Sequence, residues 1–301
     1  MATRGGDQPV NESSTGGDTD RPIGIFDSGM GGLTVLQALA ERLPAEDLIY
    51  FGDTARVPYG TKGAQTVRTF ARQDAEFLLS LGVKMLVVAC NTASAFALDY
   101  LTEVCPLPVL GVIAPGVATA LDHTRGGRVG VIGTSGTIRS GQYQHGLAAS
   151  IPEERIFARE CPLFVPLVEE GLLDHPLTDL AVREYLTPLR EARIDTLILG
   201  CTHYPVLKPA IARFMGTEVR LVDSADSLAA AAAHCLADRQ LARGPNERRG
   251  ELTFYLSDIP WKFTEVGERF LGQPITDVTT VSLDELARER TDPGSVRKDN
   301  L

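Results

Sequence analysis

No two of the five cysteines, Cys90, Cys105, Cys161, Cys201 and Cys235, form a C-x-x-C pair. That absence argues against a zinc knuckle and against a thioredoxin-like redox site. An odd, widely spaced set in a chain of 301 residues is no disulfide framework either, so free thiols in a reducing cytoplasm are expected. There is no apolar run long enough to span a membrane, and the N-terminus lacks the apolar core of a secretory signal. Positive charge is also short. Twenty-nine Lys and Arg stand against 39 Asp and Glu, a net charge of −10. Such a field gives no support to binding nucleic acid or an anionic membrane. A small anionic substrate would need local donors. His123, His145, His175 and His234 lack metal-ligand spacing.

What is present is a regular alternation of short apolar runs and longer helical patterns. Strands are predicted at 23–26, 48–51, 85–89, 109–113, 129–132, 155–158, 196–200, 219–222 and 252–256. Helices are predicted at 33–42, 65–81, 93–104, 141–149, 177–192, 206–214 and 227–242. Continuous apolar strands between helices imply an α/β fold with parallel sheets covered on both faces. Sites in such folds sit at strand carboxyl ends, beside helix N-termini. Two tandem units stand out. One opens on IGIFDSGMGG and holds MLVVACNTAS; the other opens on VGVIGTSGT and holds LILGCTHYP. Pro115 and Gly116 mark a linker near 113–117. Residues 1–21 and 286–301 are polar, which predicts a disordered head and a frayed tail.

Four motifs bear on chemistry. In FDSGMGGLT, Asp27 and Ser28 precede three glycines and a helix, so backbone can approach a ligand and amides can hold an anion. It is neither a dinucleotide fingerprint nor a P-loop. In VPYGTK, Pro58 and Gly60 make a turn and Tyr59 offers a hydroxyl. In VVACNTAS, Cys90 ends a strand and Asn91 or Thr92 can cap the next helix, a setting that lowers a thiol pKa. LILGCTHYP repeats the setting with Cys201, a capping Thr202, Pro205 in the first helical turn and His203 two positions from the thiol. Either cysteine alone is explained by burial. Together they suggest a thiolate that removes a proton from one face of a carbon while a thiol donates to the other.

The ordered set FDSGMGG, PYG, ACNTAS and GCTHYP closely resembles the aspartate/glutamate racemase superfamily, and GCTHYP resembles its glutamate branch. The resemblance runs from about Pro22 to Asp223 and more weakly to about Thr280. It implies cofactor-independent interconversion of L- and D-glutamate for peptidoglycan synthesis, with Cys90 working on D-glutamate and Cys201 on L-glutamate. It implies that Asp27 assists the first thiol, that His203 assists the second, and that Glu169 is a further carboxylate near the site. Asp27 with Ser28, Tyr59 with Gly60, Asn91 with Thr92 and Thr202 with His203 match its substrate-binding pairs. The expected architecture is two similar α/β domains with mostly parallel sheets and the site in the cleft between them. The first domain would comprise residues 22–113 and 223–285, and the second 114–222. A homodimer is one assembly that the resemblance implies. Rival readings are the same fold acting on aspartate or another amino acid, a non-catalytic glutamate-binding or regulatory protein, and a thiol oxidoreductase, the last disfavoured by the wide separation of the thiols and the absence of C-x-x-C.

Overall fold

Ten strands and twelve α-helices alternate along residues 17–244 and 248–288, which the computed structural model describes. The strands are β1 (Ile23–Asp27), β2 (Leu48–Gly52), β3 (Met85–Val88), β4 (Val109–Gly111), β5 (Val129–Gly133), β6 (Ile156–Glu160), β7 (Thr196–Gly200), β8 (Arg220–Asp223), β9 (Leu252–Leu256) and β10 (Val278–Thr280). The helices are α1 (Leu33–Arg42), α2 (Ala64–Ser80), α3 (Asn91–Val104), α4 (Ile113–His123), α5 (Ser135–Arg139), α6 (Gln142–Ala148), α7 (Phe164–Glu169), α8 (Pro176–Glu191), α9 (Lys208–Met215), α10 (Ser224–Asp238), α11 (Phe263–Leu271) and α12 (Leu283–Ala287).

They form two sheets. A six-stranded sheet runs β10-β9-β2-β1-β3-β4, and a four-stranded sheet runs β6-β5-β7-β8. Every pairing among the described strands is parallel. The inner strands explain why. IGIFD, VGVIG and TLILG are buried along their whole length, as strands with helices on both faces must be. The outer β6, β8 and β10 are partly exposed. Helix α10 packs against α1 on one side and α4 on the other, so it joins the layers of the two sheets.

Several local expectations are corrected. The linker placed near 113–117 is the start of α4. Pro115 falls in that helix's first turn, where its missing N–H goes unused, so it does not interrupt. The β10 strand escaped prediction because VTT is a short, partly exposed edge. Residues 1–16 and 289–301 lie outside the described residues. Within the expected loose head, however, residues 17–21 are tied down. Asp18–Asp20 form a 3₁₀ turn, and Lys84 Nζ donates to the Thr19 carbonyl at 2.6 Å. At the other end, Leu286 is buried and Ser282 and Glu285 close a capping box at the start of α12. No helix among the described residues is long and apolar enough to cross a membrane.

Candidate active site

Adjacent strands β1 and β3 of the larger sheet end at Asp27 and just before Cys90; β5 and β7 of the smaller sheet end just before Thr134 and Cys201. Parallel pairing therefore brings each motif to a strand carboxyl end, where the sequence pattern placed it.

The Cys90 half is an uncharged thiol beside a carboxyl group. Cys90 is 6% exposed and is itself the N-cap of α3, its Sγ accepting from the Ala93 N–H at 3.4 Å. This corrects the expectation that Asn91 or Thr92 caps: the helix begins two residues earlier than expected, at Asn91. The thiol in turn donates to Ser28 Oγ at 3.5 Å. Asp27 is buried; its Oδ2 accepts from the Gly29 N–H at 3.1 Å, and its Oδ1 has no protein partner. Burial pushes the Asp27 carboxyl up, against the pull of His203 and nearby amides. The Cys90 thiol, too, is pushed up, to about 12, by burial and then by the Asp27 charge. The expected depression at a helix start is thus reversed: desolvation of a buried anion outweighs one helix terminus.

The Cys201 half contains a cation. His203 Nδ1 lies 4.0 Å from Cys201 Sγ, and Nε2 lies 3.0 Å from Glu169 Oε1. The ring meets Phe270 edge-on, 5.1 Å between centroids. Burial pulls the imidazole down, but Cys201 and Glu169 outweigh it and hold His203 up at about 10. Thr202 caps no helix, contrary to expectation. A 3₁₀ helix, Tyr204–Leu207, follows His203, with Pro205 in its first turn, and α9 starts only at Lys208. The positive charge near this sulfur comes from a side chain, not a helix end.

The halves touch. Thr34 Oγ1 donates to the Thr202 carbonyl at 3.1 Å. A Cβ on Gly31 would sit 2.4 Å from both His203 Nδ1 and Thr202 Oγ1, so that seam admits only glycine without a shift. On the other side, Thr92 Oγ1 lies 3.0 Å from Thr134 Oγ1 and 3.1 Å from Thr137 Oγ1. Asn91 Oδ1 accepts from the Tyr143 hydroxyl at 2.7 Å, while Asn91 Nδ2 is buried without a protein partner. Gly60 abuts Thr134, where a Cβ would come within 2.7 Å of the threonine Cβ.

Asp27, Ser28, Cys90, Asn91 and Thr92 therefore gather at one sheet's edge, and Cys201, Thr202, His203 and Glu169 at the other. Tyr59 is the exception. Its hydroxyl is not offered to the cleft; it donates into a buried network with Asp53 and Asp74, the latter at 2.9 Å. Its neighbour Gly60 borders the second unit, against Thr134 and Gly136. Sequence reading missed Thr134, Thr137 and Tyr143. VGVIGTSGT carries the same strand-to-small-polar signature as FDSGMGG and could have flagged the two threonines. Tyr143, inside α6, carries no such signal. Cys105, Cys161 and Cys235 are free thiols without a hydrogen bond to any of the residues gathered at the two edges.

The model of the Asp/Glu/hydantoin racemase family matches residues 23–232. The glutamate racemase of Geobacter metallireducens is 53% identical over 264 residues, covering 88% of this chain and 97% of that one. Among solved structures, the Francisella tularensis glutamate racemase in complex with D-glutamate superposes with a TM-score of 0.82 at 41% identity, covering 88% of this chain and 99% of that chain. The Thermus thermophilus glutamate racemase in complex with β-chloro-D-alanine superposes with a TM-score of 0.80 at 45% identity, covering 89% and 100%.

Proposed function

The chain belongs to the Asp/Glu/hydantoin racemase family, and we propose that it racemises glutamate by proton transfer between two cysteines, without a cofactor. The observation that carries this reading is the pair of buried strand-end thiols with opposite partners: Cys90 beside Asp27 and Ser28, Cys201 beside His203 and Glu169. In the L-to-D direction, Cys201 as thiolate takes the α-proton, and the electron pair is left on the α-carbon. The Cys90 S–H then donates its proton to the opposite face of that carbon, leaving Cys90 as thiolate. The reverse direction exchanges the roles. Either passage leaves the sulfurs with protons swapped, and Asp27 and His203 are placed to return them. The α-proton is far less acidic than a thiol, so fixed donors in a closed site must lower the carbanion's energy. Asp27, Ser28, Asn91, Thr92, Thr202, His203, and the backbone of Tyr59 and Gly60 would surround the substrate. Its carboxylates would meet amides and hydroxyls.

The two sheets are the cores of two domains, 22–113 with 223–285 and 114–222. With both thiols 6% exposed, the domains part to admit glutamate. Crystals with and without glutamate that show equal cleft widths would remove that motion. The product D-glutamate serves peptidoglycan synthesis in the cytoplasm, where the five thiols stay reduced. A homodimer is checked by light scattering. The central test is solvent deuterium incorporation at the α-carbon of L- and D-glutamate by reduced protein. Exchange with both enantiomers is expected. Absence of exchange would end the racemase reading, and exchange with aspartate alone would move the substrate.

A further inference from the structure

We propose that Tyr143 is a positioning residue for the substrate: across the boundary between the two sheets, its hydroxyl fixes the Asn91 amide so that Nδ2 presents its hydrogens to a substrate carboxylate. The inference rests on the glutamate reading above.

Asn91 follows Cys90 directly and opens α3, so its amide lies one residue from a reacting sulfur. The residue is 3% exposed. An amide has an accepting end and a donating end of nearly the same shape, and packing alone does not tell them apart. In this structure the Tyr143 hydroxyl faces the accepting end. It reaches from α6 and donates to Oδ1 at 2.7 Å. Tyr143 is fully buried, and burial pushes its phenol upward, so it stays a protonated donor. With Oδ1 engaged, Nδ2 is left buried with no protein acceptor. Buried donors are costly to leave unpaired, and the ligand that best repays one is an anionic oxygen. Glutamate brings two carboxylates. The neighbouring hydroxyls of Thr92, Thr134 and Thr137 already share hydrogen bonds among themselves, so Asn91 Nδ2 is the uncommitted donor of this group.

The ring and the hydroxyl of Tyr143 do separable jobs. The ring fills space against β7 and α4, where a Cβ on Gly200 would come within 3.1 Å of it and one on Gly116 within 3.4 Å. A phenylalanine ring fills that space equally well. Only the hydroxyl orients the amide, and it does so from the other sheet's layer. Carboxylate recognition by Asn91 is therefore set only while the two units are docked.

The test compares Tyr143→Phe, Asn91→Ala and the double variant, in the full chain, with L- and D-glutamate. Tyr143→Phe is expected to raise KM about tenfold for both enantiomers, with a smaller change in kcat, because the lost contact holds the substrate in ground and transition states alike. Asn91→Ala is expected to raise KM as well, and the double variant to be no worse than Asn91→Ala, since no amide remains to be oriented. An unchanged KM in Tyr143→Phe, or effects that multiply in the double variant, would overturn the proposal. Wild-type protein without α-proton exchange would instead overturn the glutamate reading. If Tyr143→Phe does not fold, the wild-type glutamate complex decides: Asn91 Nδ2 within ~3.2 Å of a carboxylate oxygen supports the proposal, and separation beyond ~3.5 Å from both carboxylates refutes it.

Discussion

Two segments of similar pattern, MLVVACNTAS and LILGCTHYP, end in different electrostatic surroundings. Both are strand, small residue, cysteine, polar pair. After Cys90 the chain turns at once into α3, and the sulfur caps it. After Cys201 the chain makes a turn and a 3₁₀ helix, and the sulfur faces an imidazole backed by a carboxylate. The first sulfur sits beside an acid and holds its proton up to about pH 12. The second sits beside an imidazole that stays cationic up to about pH 10. The lesson is that matching sequence frames need not build matching sites.

The comparison breaks most visibly if either sulfur is lost. Cys90→Ser and Cys201→Ser are each expected to lower racemisation in both directions by about 10³-fold, since every passage uses one acid and one base. Near-full rates in either variant, measured by circular dichroism of glutamate, would sink the two-thiol scheme. His203→Asn separates the halves: a loss of about a hundredfold from L to D, at least as large as that from D to L, is expected. An equal loss in Asp27→Asn with the same directional bias would erase the distinction between the halves. Glu169 acts through His203, so Glu169→Gln is expected to cost about tenfold from L to D. It should also move the alkaline fall of that rate, near pH 10 in wild type, to lower pH. A lower rate with an unmoved pH profile would make Glu169 merely structural.

The smallest effect is on folding. His203 is held at about 10 when folded against 6.5 for the free group, so between those values the folded chain binds the extra proton. Its stabilisation is complete below pH 6.5 and fades as pH rises to about 10. Cys90 adds a similar decline between 9.0 and about 12, because the unfolded thiol ionises first. Urea melts across pH should show the first decline vanish in His203→Asn and the second shrink in Cys90→Ser, where the buried Cys105 thiol, also pushed up to about 12, and Cys161 keep the remainder. If His203→Asn keeps the lower window, the imidazole is not the cation described.

How much was legible follows from burial. The inner strands are uniformly apolar because both faces are covered, and those runs identify themselves in sequence. Strand β10, at the edge and exposed, does not. Pro115 and Gly116 look like punctuation until the helix is seen to start at Ile113, which puts the proline where a helix tolerates it. In the site, residues local to a strand-end cysteine were readable. Tyr143 is not, because its contact with Asn91 depends on which helix of one sheet's layer faces which turn of the other. The thiol pKa was misjudged for a related reason. Sequence shows that a helix follows Cys90, but not that the surrounding layers bury the thiol and put the Asp27 charge beside it.

The order of strands in the larger sheet has a consequence for synthesis. Strand β2 ends at Gly52, and its outer neighbour β9 begins at Leu252. At about 5–20 residues per second, the ribosome needs roughly 10–40 s to bridge that gap. Through that interval the emerging chain carries an unfinished sheet with an open edge, a template for mispairing. The smaller sheet, by contrast, is complete once Asp223 has emerged. Released chains truncated after residue 249 should therefore resist protease across 129–223 and yield across 23–111. Equal resistance in both would mean that β9 is not needed to close the first sheet.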